Sequence, residues 1–273
     1  MSDVFEQREL LQPDPAEALA DLLDVSVPGP GEALPLCWHW VYLLDRPRQR
    51  DLGRDGHPIR NAVLTPPGPG RRRMWAGGEV EAVGDLRIGE EAVRRSRVVS
   101  TEEKQGRSGR LTITAVEQLV LQRGEVVVRE RQDIVYRDAA PSAAPGPAGP
   151  STPAELAPGE RALPVTESLL FRFSALTYNA HRIHYDRDFC RDVDGYPDLV
   201  VHGPLQALAM AEAARAARGV GVRTRGRLSY RLVAPLFAFQ GLVAGTAQAG
   251  DGQATYVRDL AGRRTATGVI TGG

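Results

Sequence analysis

The residues best suited to chemistry lie in one segment of the 273-residue chain. An amide side chain at Asn179 precedes an imidazole at His184, and His202 leads directly into Gly203 and Pro204, which open an apolar stretch. An imidazole exchanges protons near neutral pH, an amide can orient a water molecule, and free N–H groups at a helix start can stabilise an oxyanion. These parts suit the addition of water to an acyl thioester, or its removal.

Several of these residues also have an ordinary structural explanation. Asn179 could stabilise its own turn, and His202 could cap or pack the helix rather than act as a second base. Gly203 and Pro204 would suit the start of any helix. The spacing nevertheless favours chemistry, so we predict three catalytic groups: His184, Asn179 and the backbone of Gly203.

The stretch 181–186 contains two imidazoles and a carboxylate that could converge on a metal. It lacks the glutamate of a His-Glu-x-x-His helix and has no helical pattern. We therefore expect no metal here. His181, Arg182 and His202 are predicted to contact substrate, although the first two could simply solvate the loop.

A run of three arginines, Arg71 to Arg73, precedes Trp75. Guanidinium groups suit the phosphates of coenzyme A, so we predict that Arg72, Arg73 and Trp75 contact substrate. Lys104 is the single lysine of the chain, so nearly all of its basic residues are arginines. A solvated loop therefore explains the run of three arginines equally well. The other aromatic side chains are expected in the core or in the wall of an acyl pocket: Trp38, Trp40 and Tyr42.

Composition excludes several classes of protein. The 34 basic and 34 acidic residues leave no basic excess for nucleic acid, and no apolar run reaches the ~18–20 residues of a membrane span. The first residues lack the pattern of a secretory signal. Cys37 and Cys190 have no spacing typical of a disulfide framework or a zinc site. We expect a cytoplasmic protein without a nucleic-acid or membrane partner.

The first half contains helix, loop and strand patterns in turn. Asp14 and Pro15 open a predicted helix over 14–24, and an apolar run at 34–44 indicates a buried helix, with a strand as the alternative. The long polar stretch 45–74 is predicted to cover a binding surface. Alternating residues after it predict an antiparallel meander, with strands at 78–83, 111–117, 125–129 and 133–136.

The second half repeats the plan of the first. A segment rich in Ala, Pro and Gly at 138–162 predicts a linker, which divides the chain into domains 1–137 and 163–273. A helix over 205–218 is followed by four predicted strands, at 225–232, 240–247, 254–259 and 265–270. A helix followed by strands, twice, predicts an α+β fold with two antiparallel sheets, each wrapped round a helix.

Two groups of motifs resemble a known superfamily. The stretch 173–186 with 199–206 resembles the hydratase motif of MaoC-like hot-dog enzymes. The N-terminal motifs resemble a fused-dehydratase branch that includes mesaconyl-C4-CoA hydratases and mitochondrial-type hydroxyacyl-thioester dehydratases: 75–78, 106–109 and 132–137. The resemblance implies a double hot-dog whose C-terminal half carries the chemistry and whose N-terminal half shapes the acyl pocket.

The resemblance implies a hydro-lyase that needs no cofactor, since coenzyme A or a carrier-protein phosphopantetheine belongs to the substrate. A short branched or dicarboxylic acyl-CoA is the expected substrate, a 3-hydroxyacyl-carrier protein is the alternative, and a homodimer is expected. The family's aspartate is replaced by Asn179, and an amide cannot titrate, so His184 must carry most of the acid–base work. That replacement is also the main support for a rival hypothesis, a non-catalytic thioester-binding protein.

Overall fold

A continuous antiparallel sheet of ten strands organises the computed structural model, which describes residues 4–29, 31–59, 63–64, 71–106, 109–138, 154–218, 225–249 and 252–272. The strands are β1 (Phe5–Leu10), β2 (Arg71–Ala82), β3 (Glu91–Gly106), β4 (Gly109–Gln122), β5 (Glu125–Asp138), β6 (Arg161–Leu163), β7 (Gly226–Leu232), β8 (Leu242–Ala249), β9 (Gly252–Arg258) and β10 (Arg264–Thr271). Their spatial order is β1-β3-β4-β5-β2-β7-β10-β9-β8-β6.

The two halves of the chain supply five strands each and meet where β2 pairs with β7. The predicted double hot-dog is therefore present, but its two sheets are joined edge to edge into one. All four strands predicted in the second half are found, whereas the prediction missed β1, β3 and β6. It also divided β5 into two pieces.

Glycines in β2 allow the close approach at this junction. A Cβ on Gly77 would lie 2.4 Å from the carbonyl oxygen of Tyr230, and one on Gly78 would lie 2.1 Å from that of Arg131. The register of β2 on β5 also shifts between Trp75 and Gly77, as it does at a β-bulge. The glycine pair thus lets β2 fit between β5 and β7.

Four helices lie in the described residues: α1 (Pro13–Leu23), α2 (Glu167–Leu176), the single turn α3 (Arg187–Phe189) and α4 (Gly203–Arg218). Helix α1 confirms the predicted 14–24 and α4 confirms 205–218. Helix α4 packs on β8, β9 and β10 and buries ten side chains. Helix α2 was missed, although Thr166 caps it by accepting a hydrogen bond from the amide of Leu169 at 3.1 Å.

The helix predicted over 34–44 is wrong. The segment holds only a 3-10 turn, Trp38–Val41, between Cys37 and Leu43, whose left-handed φ angles of 73° and 52° stop a helix. Trp38 is fully buried and its indole donates to Glu212 of α4 at 2.8 Å. The apolar run is therefore a core segment that joins the N-terminal half to α4.

The predicted linker 138–162 is only partly described. Asp138 ends β5, and β6 begins at Arg161 and pairs with β8. The amide of Ala154 already bonds to the carbonyl of Leu260 in the second half. Residues 139–153 lie outside the described residues, as do Arg107 and Ser108 of the N-terminal motif. No helix in the described part of the chain is long and apolar enough to cross a membrane.

Candidate active site

A cavity of about 1900 Å³ lies between the two halves. Its walls come from the loop at 52–59, from β2, from the loop at 177–185 and from the start of α4. Pockets for drug-sized ligands usually enclose ~300–1,000 Å³. The cavity therefore has room for a long ligand that reaches from the surface to a buried end.

His184 lies in this wall on a 3-10 turn, Arg182–His184, and is 7% exposed. Its Nδ1 lies 2.7 Å from the carbonyl oxygen of Val200. Because a carbonyl only accepts, Nδ1 carries the proton and Nε2 keeps its lone pair. Burial lowers the pKa of His184 to about 4, against the opposing effect of the Val200 carbonyl. The imidazole is thus neutral at pH 7, with one nitrogen available to accept a proton.

His202 supports His184 from behind. The two rings stack with centroids 3.6 Å apart and planes inclined by 18°. His202 is fully buried, and its Nε2 lies 2.8 Å from the hydroxyl of Ser174 on α2. It is not in the cavity wall. His202 was predicted to contact substrate, but the structure places it outside the cavity wall, where it stacks on the His184 ring.

Gly203 begins α4 and lines the cavity, as predicted from the sequence. Its N–H has no carbonyl four residues earlier within the helix, so it can donate to a ligand. A Cβ at this position would lie 2.4 Å from Cδ1 of Leu232 and 3.5 Å from Cβ of Trp75. Glycine therefore brings the helix start close to β7 and β2, which form the neighbouring walls.

Asn179 lines the cavity but also has the turn-stabilising contact considered above. The side-chain Oδ1 of Asn179 accepts a hydrogen bond from the backbone amide of His181 at 3.0 Å. The backbone amide of Asn179 donates to the carbonyl of Ser174 at 2.8 Å. The preceding residue, Tyr178, has a left-handed φ of 51°. Because Oδ1 of Asn179 already accepts the hydrogen bond from His181, its side-chain NH2 is the group left to meet a water or a substrate.

Two residues of the N-terminal half were missed by the sequence reasoning. His57 and Asp55 lie in the stretch 45–74, which was predicted to cover a binding surface, and both line the cavity. The His57 ring packs against His181 with centroids 3.8 Å apart. His57 is one of five histidines in the chain, and that scarcity is the one signal that could have singled it out.

In the described part of the chain, potential metal-ligand atoms of Asp55, His57 and His181 lie within 4.8 Å of one another. The two imidazole planes are inclined by 35° and lie against each other. A zinc ion needs in-plane nitrogen lone pairs that converge at ~2.0–2.1 Å. This arrangement favours a stacked pair over a metal centre, and the absence of a metal stays a prediction.

Arg182 is engaged by protein groups rather than placed in the cavity wall. Its guanidinium forms a 2.6 Å ion pair with Asp186 and lies 4.3 Å above the ring of Phe189. It also donates to the carbonyl of Arg54 at 3.2 Å, which ties the two halves together. The structure thus gives Arg182 a positioning role and does not bring it to the predicted substrate contact.

The three arginines of β2 all line the cavity but differ in their partners. Arg71 donates to Thr112 at 3.2 Å, and Arg72 pairs with Asp194 at 3.4 Å. The guanidinium of Arg73 forms no ion pair or hydrogen bond with another described residue. Its positive charge lowers the pKa of both His57 and His181, in addition to the larger effect of burial.

The aromatic side chains divide between core and wall. Trp75 lines the cavity, and its indole donates to the hydroxyl of Tyr230 at 2.8 Å. Trp40 lies edge-on to Trp75 at 5.8 Å. Beneath them the buried carboxylate of Glu130 accepts from Trp40 at 2.9 Å and pairs with His39 at 2.9 Å. Burial alone would raise the pKa of Glu130, but these contacts lower it.

A family model described as hydroxyacyl-thioester dehydratase type 2 matches residues 37–238, which include every cavity residue from His39 to Pro235. The chain belongs to this family. The family chemistry is that of a hydro-lyase, so the predicted enzyme class is confirmed. The match spans both halves, as the fused-dehydratase resemblance requires.

Known proteins support this membership. The chain is 45% identical to the mesaconyl-C(4)-CoA hydratase of Chloroflexus aurantiacus over 208 residues, which are 75% of this chain and 71% of that protein. A MaoC-like dehydratase structure from Phytophthora capsici superposes with a TM-score of 0.70 at 13% identity, covering 99% of this chain and 95% of that one.

The double hot-dog itself has a structural counterpart. A Mycobacterium tuberculosis protein described as having a double hotdog fold superposes with a TM-score of 0.56 at 14% identity. The superposition covers 98% of this chain and 94% of that one. At these identities the two structures confirm the fold, and the hydratase relative supports the chemistry.

Proposed function

We propose that the protein reversibly hydrates an enoyl-CoA whose acyl group carries a second, free carboxylate, like the mesaconyl-C(4)-CoA of its relative. One observation carries the hydration chemistry. The hydrogen bond from His184 to Val200 leaves Nε2 without a proton, and His184 and Gly203 both line the cavity. The imidazole accepts the proton of the attacking water, and the amide meets the enolate oxygen of the thioester.

The carboxylate preference rests on Arg73. A guanidinium in the cavity wall that has no carboxylate partner among the described residues favours an anion from the ligand. Its charge lowers the pKa of His57 and His181, and all three residues line the same cavity. The phosphates of coenzyme A are separated from the thioester by the whole pantetheine arm. An anion beside the reacting carbons is therefore better explained as a carboxylate of the acyl group. We accordingly assign Arg73 to this carboxylate and not to the phosphates of coenzyme A.

The test compares two enoyl-CoA esters by the loss of their conjugated-thioester absorbance. We expect the wild-type protein to prefer the ester with a free carboxylate over crotonyl-CoA, and Arg73→Gln to abolish most of that preference. Arg71→Gln serves as the matched control on the same strand. Hydration of neither ester would refute the function, whereas an unchanged preference in Arg73→Gln would refute only the role of Arg73.

Three further expectations accompany this proposal. Coenzyme A rather than a carrier protein bears the acyl group, which a comparison of both substrates decides. No metal or other cofactor is needed, so activity should survive dialysis against EDTA. The protein forms a homodimer, which light scattering on the eluted protein measures directly.

A further inference from the structure

Four of the five histidines form a row across the two halves of the molecule. The ring centroids are 3.8 Å apart between His57 and His181, 5.5 Å between His181 and His184, and 3.6 Å between His184 and His202. His57 is the member of this row that the N-terminal half contributes. Three members line the cavity: His57, His181 and His184.

The loop that carries His57 is held firmly against the loop of Asn179 and His184. A Cβ on Gly56, where φ is +85°, would lie 1.8 Å from the carbonyl oxygen of Ala180. The amide of Arg182 donates to the carbonyl of Asp55 at 2.8 Å. Only glycine fits such a contact, so the chain geometry fixes where the His57 ring enters the cavity.

Asp55 orients His57. Its Oδ1 accepts a hydrogen bond from the His57 amide at 3.0 Å, and its Oδ2 lies 3.5 Å from His57 Nδ1. A carboxylate beside Nδ1 favours the tautomer with a proton on that nitrogen and stabilises the imidazolium form. At 3.5 Å this contact is electrostatic rather than a hydrogen bond, and Nδ1 of His57 is buried without a hydrogen-bond partner among the described residues.

Hydration takes a proton from the attacking water and delivers a proton to the α-carbon, and a second acid–base group lets two residues divide these transfers. The amide of Asn179 cannot supply it, and its oxygen is engaged by the His181 amide. We propose that His57, held by Asp55, is this second acid–base residue, so that the N-terminal half contributes a catalytic residue as well as the pocket. The inference rests on the proposed hydration reaction.

In the direction of hydration, His184 acts as the base and His57 as the acid. The water oxygen bonds to the β-carbon as its proton passes to Nε2 of His184, and the π electrons move into the thioester carbonyl. The resulting enolate takes a proton from protonated His57 at its α-carbon. His57 is then neutral and His184 protonated, and exchange with solvent restores both. In dehydration His57 accepts the α-proton and His184 protonates the departing hydroxyl group.

The charged and titratable groups around His57 set the sign of its pH dependence. Burial, the largest effect, lowers the pKa of His57, the contact with Asp55 raises it, and the Arg73 charge lowers it, so the net shift is downward. His181 lies against the ring. The pKa of Asp194 is raised, mainly by burial and to a smaller extent by the charge of Asp55. Protonated His57 acts as the acid, so the basic-side limb of the rate profile for hydration reports loss of its proton. Because the pKa of His57 is lowered, this limb lies at lower pH than it would for an ordinary histidine.

The test measures hydration by two variants, one at His57 and one at Asp55. His57→Ala should lower kcat by about 10²-fold or more, and added imidazole should restore part of the loss because the cavity can admit it. Asp55→Asn should shift the basic-side limb to lower pH, since the carboxylate no longer raises the His57 pKa. Asp51→Asn, a like change in the same segment but outside the cavity wall, should leave the profile unchanged.

The outcomes separate the alternatives. His57→Ala within threefold of the wild type, or a loss that imidazole does not relieve in a variant with a native circular dichroism spectrum, overturns the assignment. An Asp55→Asn profile identical to that of Asp51→Asn does so as well. Activity that is lost with a chelator and restored by zinc would replace the acid–base role with a metal. A wild-type protein inactive on every enoyl-CoA ester refutes the hydration reaction itself.

Discussion

The Nδ1–H of His184 donates to the carbonyl oxygen of Val200 at 2.7 Å, across a separation of 16 residues. This hydrogen bond sets both the tautomer and the orientation of the ring. The amide of Val200 also donates a hydrogen bond to the carbonyl of Ile183, the residue before His184, at 2.9 Å. The loop before α4 therefore positions the nitrogen that acts on water.

Removal of this imidazole should abolish most of the activity. We expect His184→Ala to lower turnover by about 10²–10⁴-fold, the usual contribution of an acid–base group, and to leave the circular dichroism spectrum unchanged. Steady-state hydration of an enoyl-CoA ester measures the effect. Activity within threefold of the wild type would refute the role assigned to His184.

Asn179 can be tested by two substitutions with different outcomes. Asn179→Asp keeps the oxygen that accepts from the His181 amide, so it should retain appreciable activity. Its new charge should raise the pKa of the neighbouring imidazoles and move the corresponding limb of the rate profile to higher pH. Asn179→Ala should cost more activity, because both the turn contact and the cavity amide are lost. Identical rates and pH profiles for Asn179→Ala and the wild type would leave Asn179 without any role in the reaction.

The fit of Gly203 against Leu232 predicts a pair of compensating changes. Gly203→Ala places its methyl group 2.4 Å from Cδ1 of Leu232, and such overpacking typically costs about 1–3 kcal/mol of folding free energy. The displaced helix start should also lower kcat by up to ~10²-fold. Combining it with Leu232→Ala should recover stability and part of the rate, as measured by urea unfolding and kinetics. Leu232→Ala alone is the control, and an additive double variant would contradict the steric explanation.

The buried imidazoles should make folding stability depend on pH. Burial lowers the pKa of His181, His184 and His202, so the unfolded chain binds more protons than the folded one below pH ~6.5. Their contribution to stability is complete above that pH and falls as the pH drops toward 4, by about 1.4 kcal/mol per pH unit for each proton. Urea unfolding between pH 7 and pH 4 should show this loss, and His184→Gln should reduce its slope. An equal slope in that variant would show that His184 does not titrate on unfolding.

The regular elements could be read from the sequence because their signals are local. Alternating side chains predicted the C-terminal strands, and the apolar period after Gly203 predicted α4. The segment 34–44 was misread because a buried 3-10 turn and a buried helix share an apolar composition. Its true conformation depends on the contact between Trp38 and Glu212, which are 174 residues apart.

The site divides in the same way. The order of Asn179, His184 and Gly203 was visible because these residues belong to one segment whose spacing is preserved in the fold. His57 and Asp55 were not, since no local pattern links them to that segment. Only the docking of the 52–59 loop on the loop before α3 brings them within 4.8 Å of His181. The sequence alone thus determined the local elements and the chemistry of one loop. The tertiary structure decided which distant side chains share the cavity, because their proximity depends on packing between the two halves.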